Sequence, residues 1–352
     1  MQVNERGNIL KCLFLAASAA VLSGAATIAH GQELIVNSYG GPYEQIIQDA
    51  IIKPFEEQFG VSVIYDAVGS SQQDYAKIKA TNGRPGFDVV VMTASQSLEG
   101  CREGLLEPLS VQTVPNLAHL NAAISAVAGA CGAVHELQYL ALLYRTDMFE
   151  EAPTSWTDLY DERLDNRIVL PTFANIMAAF LTQLMSSVHG GDVDNDIDPG
   201  FEAMARLAAQ SIGFEQASAI LESYIRDGRV WAMPFWDGRA QLLVDSGAPV
   251  DYVLPKEGSI PLIATLNVPV GADNKELALQ FVDFFLEKTS QERWVEGYKV
   301  GSARADIEVS DEARARKITT QADLDALLLP DLSSLASNLS TWVIRWEPAV
   351  VP

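Results

Sequence analysis

The chain has 352 residues, 24 of them basic and 46 acidic, for a formal net charge of −22. With 48% hydrophobic and 20% charged residues it has a globular composition, which excludes intrinsic disorder. The acidity excludes the basic footprint of a nucleic-acid binder and opposes docking on an anionic membrane face, while the length suits two lobes.

Residues 1–31 read as an export signal. Arg6 and Lys11 precede an apolar run from Cys12 to Ala29, and Ala29 and Gly31 are small residues at the two positions a signal peptidase reads. The run is diluted by Ser18, Ser23, Gly24 and Thr27, so no stable membrane insertion is expected. The mature chain would begin at Gln32 in the periplasm and keep 22 basic and 45 acidic residues, a net charge of −23. It would also keep two cysteines, Cys101 and Cys131. An even pair in an oxidising compartment reads as one disulfide closing a loop of about 30 residues, worth roughly 3 kcal/mol. Two buried free thiols are the alternative.

The mature chain alternates strand and helix. Glu33–Ser38 is a β-type run ending in Tyr39, Gly40, Gly41 and Pro42, a tight turn into a helix. Ile46, Ile47, Ala50, Ile51, Phe55 and Phe59 recur at helical spacing over Tyr43–Phe59, and Gly60 stops that helix. Val61–Tyr65 predicts a strand, Asp74–Thr81 a short helix, and the apolar run Asp88–Met92 a central parallel strand. Further strands are expected at Leu137–Arg145, Asn166–Leu170, Val230–Pro234 and Val250–Leu254, with a short extended piece at Asn267–Pro269. Helices are expected at Asn175–Val188, Phe201–Ala209, Phe214–Arg226, Trp236–Ser246, Lys275–Glu287 and Ser333–Trp346. This grammar is α/β. In Gly191–Pro199 the acids at 192, 194, 196 and 198 alternate as in a calcium loop, but its sixth position is Ile197 and its twelfth Ala203. Asp198 reads instead as the cap of a helix beginning at Pro199.

The order of several strings carries a resemblance. NSYGGPYEQ follows the first strand, KPFEEQFG (Lys53–Gly60) closes the first helix, and GFDVVVM (Gly86–Met92) and GLLEPL (Gly104–Leu109) follow. TSWTDLY (Thr154–Tyr160), FWDG (Phe235–Gly238), PKEGSI (Pro255–Ile260) and GADNKELALQFVDFF (Gly271–Phe285) complete the series. Together they resemble bacterial ABC-transporter substrate-binding proteins of the spermidine/putrescine-binding type, a class of extracellular solute-binding proteins. The resemblance implies a two-lobed periplasmic-binding-protein (type II) fold, each lobe a mixed sheet flanked by helices and joined by crossover strands. Lobe one would hold 32–135 and 265–310, and lobe two 136–264 and 311–352. Hinge motion would fall near 135–138 and 264–268. It further implies a monomer that takes a small amine or zwitterionic ligand and delivers it to an inner-membrane ABC permease, with no cofactor, metal or catalytic residue.

Carried over position by position, the family's cleft tryptophan falls on Trp236, followed by Asp237 as a possible ammonium partner. Ser38, Tyr39, Gly40 and Gly41 occupy the first ligand loop, and Thr93, Ser95 and Gln96 the second. Acidic family positions fall on neutral Thr172 and Asn175, and an aromatic–acidic pair falls on Leu262 and Ala264. Arg239, three residues after Trp236, adds a group that binds carboxylate or phosphonate bidentately. The site therefore has fewer carboxylates than a polyamine clamp, which favours a γ-amino acid or similar zwitterion. The alternatives are a secreted hydrolase on a two-lobed scaffold and a ferric-iron binder. The chain holds no G-x-S-x-G, no H-E-x-x-H and no Tyr-Tyr pair for either.

Overall fold

The computed structural model describes residues 33–350 apart from 68–70, 174, 193–194, 326 and 330. The export signal and Gln32 lie outside the described residues. Among the described residues nine strands form one sheet: β1 (Glu33–Asn37), β2 (Ser62–Asp66), β3 (Val89–Thr93), β4 (Ala133–Arg145), β5 (Ile168–Pro171), β6 (Ser211–Glu215), β7 (Ala232–Trp236), β8 (Val250–Val253) and β9 (Pro261–Asn267). Their order is β2-β1-β3-β9-β4-β7-β5-β6, with β8 also paired to β4.

The path divides on β4, whose 13 residues are all buried. Its first half, Ala133 to Tyr139, runs antiparallel to β9. Its second half, Leu140 to Arg145, runs antiparallel to β7 and β8. One half-sheet thus holds the parallel strands β1, β2 and β3, closed by antiparallel β9. The other holds parallel β5, β6 and β7. A third chain passage, at Gly301, bridges Leu137 of β4. Helices pack around both halves, giving the two-lobed periplasmic-binding-protein fold.

Local sequence explains most elements. Residues 42–59 are helical, with Pro42 in the first turn and Gly60 closing the end at φ 66. A π-helical turn, Gln48–Ile52, shifts the register so that Ala50, Ile51 and Ile52 are all buried. Asn175 caps the helix Ile176–Val188, its side chain accepting from the Met177 N–H at 3.1 Å. Cys101, on the helix Ala94–Arg102, is bonded to Cys131 just before β4, so the expected disulfide forms.

Three expectations change, and one helix is new. Phe214 belongs to β6, and the helix after it runs from Ser218 to Arg226. Gly213, at φ 131, and pairing of β6 with β5 keep that stretch extended against its helical periodicity. The extended piece at Asn267 is the end of a seven-residue strand that starts at Pro261, stabilised by pairing on both edges with β3 and β4. The helix Lys288–Tyr298 follows Lys275–Phe285 after a short break and carries Trp294 and Tyr298 into the core. Asp198 is not a cap: it lies in the first turn of the helix Asp198–Gln210, and its carboxylate accepts from Arg345 at 2.6 Å.

Candidate binding site

A cavity of about 530 Å³ opens where the two half-sheets meet. Tyr39, Gly40, Pro42 and Tyr43 reach it from the turn after β1, and Gln138 from the crossing strand β4. Asn175 comes from the cap after β5, and Ser218, Glu222 and Arg226 from one face of their helix at four-residue spacing. Trp236 ends β7, Arg239, Leu242 and Leu243 sit on the following helix Asp237–Asp245, and Tyr298 ends its own helix.

Four aromatic residues form part of the wall. Tyr43 packs edge-on against Tyr39 at 5.2 Å and against Tyr298 at 5.0 Å. Trp236 is 7% exposed, and its ring is held edge-on to Phe180 at 6.0 Å. The Tyr39 hydroxyl bonds Ser71 Oγ at 2.6 Å, and its backbone carbonyl accepts from the Tyr65 hydroxyl at 2.6 Å. Burial pushes the phenols of Tyr39, Tyr43 and Tyr298 upward, so all three are neutral and offer uncharged ring faces. The charged part of the wall is Glu222, Arg226 and Arg239. Arg239 Nε donates to Glu222 Oε1 at 2.7 Å, and both side chains are partly exposed to the cavity. Two guanidiniums against one carboxylate leave this wall electropositive.

Behind Gln138 lies a buried polar group. Gln138 Nε2 donates to Glu136 Oε1 at 2.5 Å, and the Tyr43 hydroxyl bonds His135 Nε2 at 3.1 Å. Desolvation raises the Glu136 carboxyl to about 7, with Gln138 pulling it down and Asp237 pushing it up. Desolvation lowers the His135 imidazole to about 3, so it is neutral.

The structure brings Tyr39, Gly40, Asn175, Trp236 and Arg239 together on the cavity, five of the residues read from sequence. The others lie off its wall. Asp237 is fully buried and bonded to Lys317 at 2.9 Å, with its carboxyl raised by desolvation against that pull. Ser38 is buried, and its N–H donates to the Asp66 carbonyl. Gly41, at φ 74, makes the turn into the first helix. Thr93 Oγ1 bonds Ser95 Oγ at 2.9 Å, Ser95 Oγ reaches Gln96 at 3.2 Å, and the Thr93 N–H donates to Ser71 Oγ. This second loop therefore supports Tyr39 through Ser71. The Thr172 N–H donates to the Glu215 carbonyl, joining β5 to β6 at their ends. Sequence reasoning did not single out Glu222, Arg226 or Tyr298. The spacing of Ser218, Glu222 and Arg226 on one helical face was the available signal for the first two, but such a polar face is usually solvated. Among the described residues no group of three or more His, Cys, Asp or Glu side chains is placed to hold a metal ion, and no helix is long and apolar enough to cross a membrane.

Known proteins are similar to this chain. The spermidine/putrescine-binding periplasmic protein 1 of Haemophilus influenzae is 25% identical over 261 residues, 71% of each chain. The gamma-aminobutyric acid-binding protein of Pseudomonas aeruginosa is 25% identical over 291 residues, 79% of this chain and 78% of that one. The crystal structure of an ABC transporter substrate-binding protein from Bradyrhizobium japonicum superposes with a TM-score of 0.79 at 22% identity, covering 90% of this chain and 99% of the other. Residues 50–320 match the family described as bacterial extracellular solute-binding protein. That match spans more than half the chain, and with the two-lobed fold it agrees with the resemblance read from the sequence: the chain belongs to the bacterial extracellular solute-binding protein family.

Proposed function

We propose that this protein is the solute-binding component of an ABC importer and that its ligand is a small zwitterionic amine of the γ-amino acid class. One observation carries the ligand class: Arg226, Arg239 and a single carboxylate, Glu222, share the cavity with the rings of Tyr39, Tyr43, Trp236 and Tyr298. A ligand carboxylate exchanges for Glu222 on the Arg239 fork, and charge-assisted bonds of that kind are the strong ones. The ligand's ammonium end lies against aromatic faces, which attract cations by about 0.5–2 kcal/mol each. A polyamine, with cations at both ends, would meet two guanidiniums instead of the carboxylates it needs.

The protein binds and releases without chemistry. Lobe one comprises 32–135 and 265–310, lobe two 136–264 and 311–352, and the lobes close over the ligand because the ligand contacts both in the closed state. Strand β4, paired with β9 in its first half and with β7 and β8 in its second, runs through the proposed hinge near 135–138, and β9 runs through the one near 264–268. The chain is exported to the periplasm by a cleaved signal, works as a monomer and docks on an inner-membrane permease. Periplasmic relatives support that location.

A calorimetric and thermal-shift screen of the chain from Gln32 tests the reading. The panel is γ-aminobutyrate, α-amino acids, 2-aminoethylphosphonate, putrescine, spermidine and ferric ion. The expected result is a stabilising shift with γ-aminobutyrate or a close zwitterion. Binding of diamines alone would overturn the ligand class. Turnover of a generic ester or glycoside without any binding would overturn the binding function.

A further inference from the structure

The crossing strand β4 carries an acid whose charge has no counterpart among the described residues. Glu136 is 2% exposed. Its Oε1 accepts from Gln138 Nε2 at 2.5 Å, while its Oε2 has no hydrogen-bond partner. His135 Nε2 lies 3.7 Å from Oε2, but that ring is neutral and bonded to the Tyr43 hydroxyl. Of the other charged groups nearby, Asp237 repels Glu136, and Lys317 is held by Asp237 at 2.9 Å. The remaining titratable neighbours are the neutral phenols of Tyr39, Tyr43, Tyr65 and Tyr298; the nearby Trp294 indole N–H favours the carboxylate but makes no hydrogen bond to it.

Gln138 links this acid to the cavity. It is 6% exposed and lines the cavity wall. Its amide nitrogen is committed to Glu136, so its open valence is the acceptor Oε1, which is buried and without a partner.

We propose that Glu136 is the counter-charge for the ammonium group of the ligand, acting through Gln138 as a positioning residue. The ammonium donates to Gln138 Oε1, and Gln138 Nε2 donates to an ionised Glu136. Without ligand, Glu136 holds its proton near neutral pH, because burial disfavours the charge. Arrival of the cation favours the carboxylate, and Glu136 releases its proton to solvent. The amine end is thus read on the crossing strand rather than at Asp237, next to the hinge that must move on closure. The inference rests on the proposed binding function and adds which residue recognises the amine.

The probes are γ-aminobutyrate and putrescine, titrated calorimetrically into the chain from Gln32 between pH 5.5 and 8 in two buffers of different ionisation enthalpy. Side-chain carboxyl ¹³C spectra, with Glu136 assigned by its loss in Glu136→Gln, follow the acid itself. The expected result is release of up to one proton per ligand below pH 7, with affinity falling up to tenfold per pH unit there and constant above it. Glu136→Gln should bind at least tenfold more weakly at pH 8 and lose the pH slope, with its melting temperature not lowered. Glu136→Asp should restore part of the slope. Wild-type affinity and slope in Glu136→Gln, or a Glu136 titration unmoved by a bound amine, would overturn this inference while leaving the binding function standing. Failure of every amine to bind the wild type would overturn both.

Discussion

Asp237 and Lys317 form an ion pair, Oδ2 to Nζ at 2.9 Å, with side chains 0% and 2% exposed. Lys317 also donates to the Asp237 carbonyl at 3.2 Å, and Asp237 Oδ1 accepts from the Tyr139 N–H at 3.0 Å. The pair ties the C-terminal part of the chain to the crossing strand and to the helix behind the cavity. Removing one partner leaves the other charge buried and unpaired, which costs about 3–5 kcal/mol. Asp237→Ala is expected to lower the unfolding free energy by an amount in that range, read from the urea midpoint and its m value. A variant with an unchanged midpoint would show that Lys317 finds another partner.

Trp236 serves both packing and the cavity wall, so its substitutions separate by size. Trp236→Ala is expected to lose about 3–5 kcal/mol of stability. Trp236→Leu keeps apolar bulk against Phe180 and drops the large aromatic face. It is expected to bind γ-aminobutyrate about tenfold more weakly, the loss of one cation–π contact. Calorimetry on both variants at matched folded fraction checks this, and wild-type affinity in Trp236→Leu would remove the stacking role.

Arg239 and Glu222 should affect different ligands. Arg239→Ala is expected to weaken γ-aminobutyrate at least tenfold and to leave putrescine unchanged or improved, because Glu222 is then free to pair with an ammonium. An equal loss for both ligands would reduce Arg239 to a structural role.

The buried acid on β4 also sets a pH dependence of stability. The Glu136 carboxyl is raised from 4.5 to about 7 in the fold. The folded state therefore holds that proton more tightly than the unfolded chain, and stability declines as pH rises between those values. Glu136→Gln removes the term, so its stability relative to wild type is expected to grow by roughly 3 kcal/mol across that window and stay level above it. His135 acts oppositely, its imidazole lowered to about 3, so stability falls as pH drops below 6.5. That contribution is common to both proteins and cancels in the difference. Urea midpoints of the pair at half-unit pH steps measure it, and a constant difference would refute the assignment.

The disulfide between Cys101 and Cys131 closes a 30-residue separation. Cys131→Ser is expected to cost about 3 kcal/mol. Neither cysteine lines the cavity, so affinity for γ-aminobutyrate should hold. Denaturation and calorimetry, repeated with reductant on the wild type, check both halves of that statement.

Local rules made much of this fold legible. The buried run of β3, the Pro42 and Gly60 ends of the first helix, the Asn175 cap and the order of family strings all depend on neighbours in sequence. They were enough for the α/β class, the family and one wall of the cavity: Tyr39, Gly40, Trp236 and Arg239. Tertiary structure decided the rest, because the deciding contacts are long-range. Asp237 looked like a ligand group until Lys317, 80 residues on, was seen to hold it. Tyr298 gave no local signal and joins the cavity through packing on Tyr43 and Trp294. β9 and β6 are strands because partner strands pair with them, against weak local preference. Glu136 and Gln138 stood near a crossover in sequence, where lining the cleft and tying the hinge were both open to them. Folding β4 between two half-sheets left one carboxylate oxygen and one amide oxygen without partners beside the cavity, and burial, which no sequence window measures, turned them into a candidate recognition site.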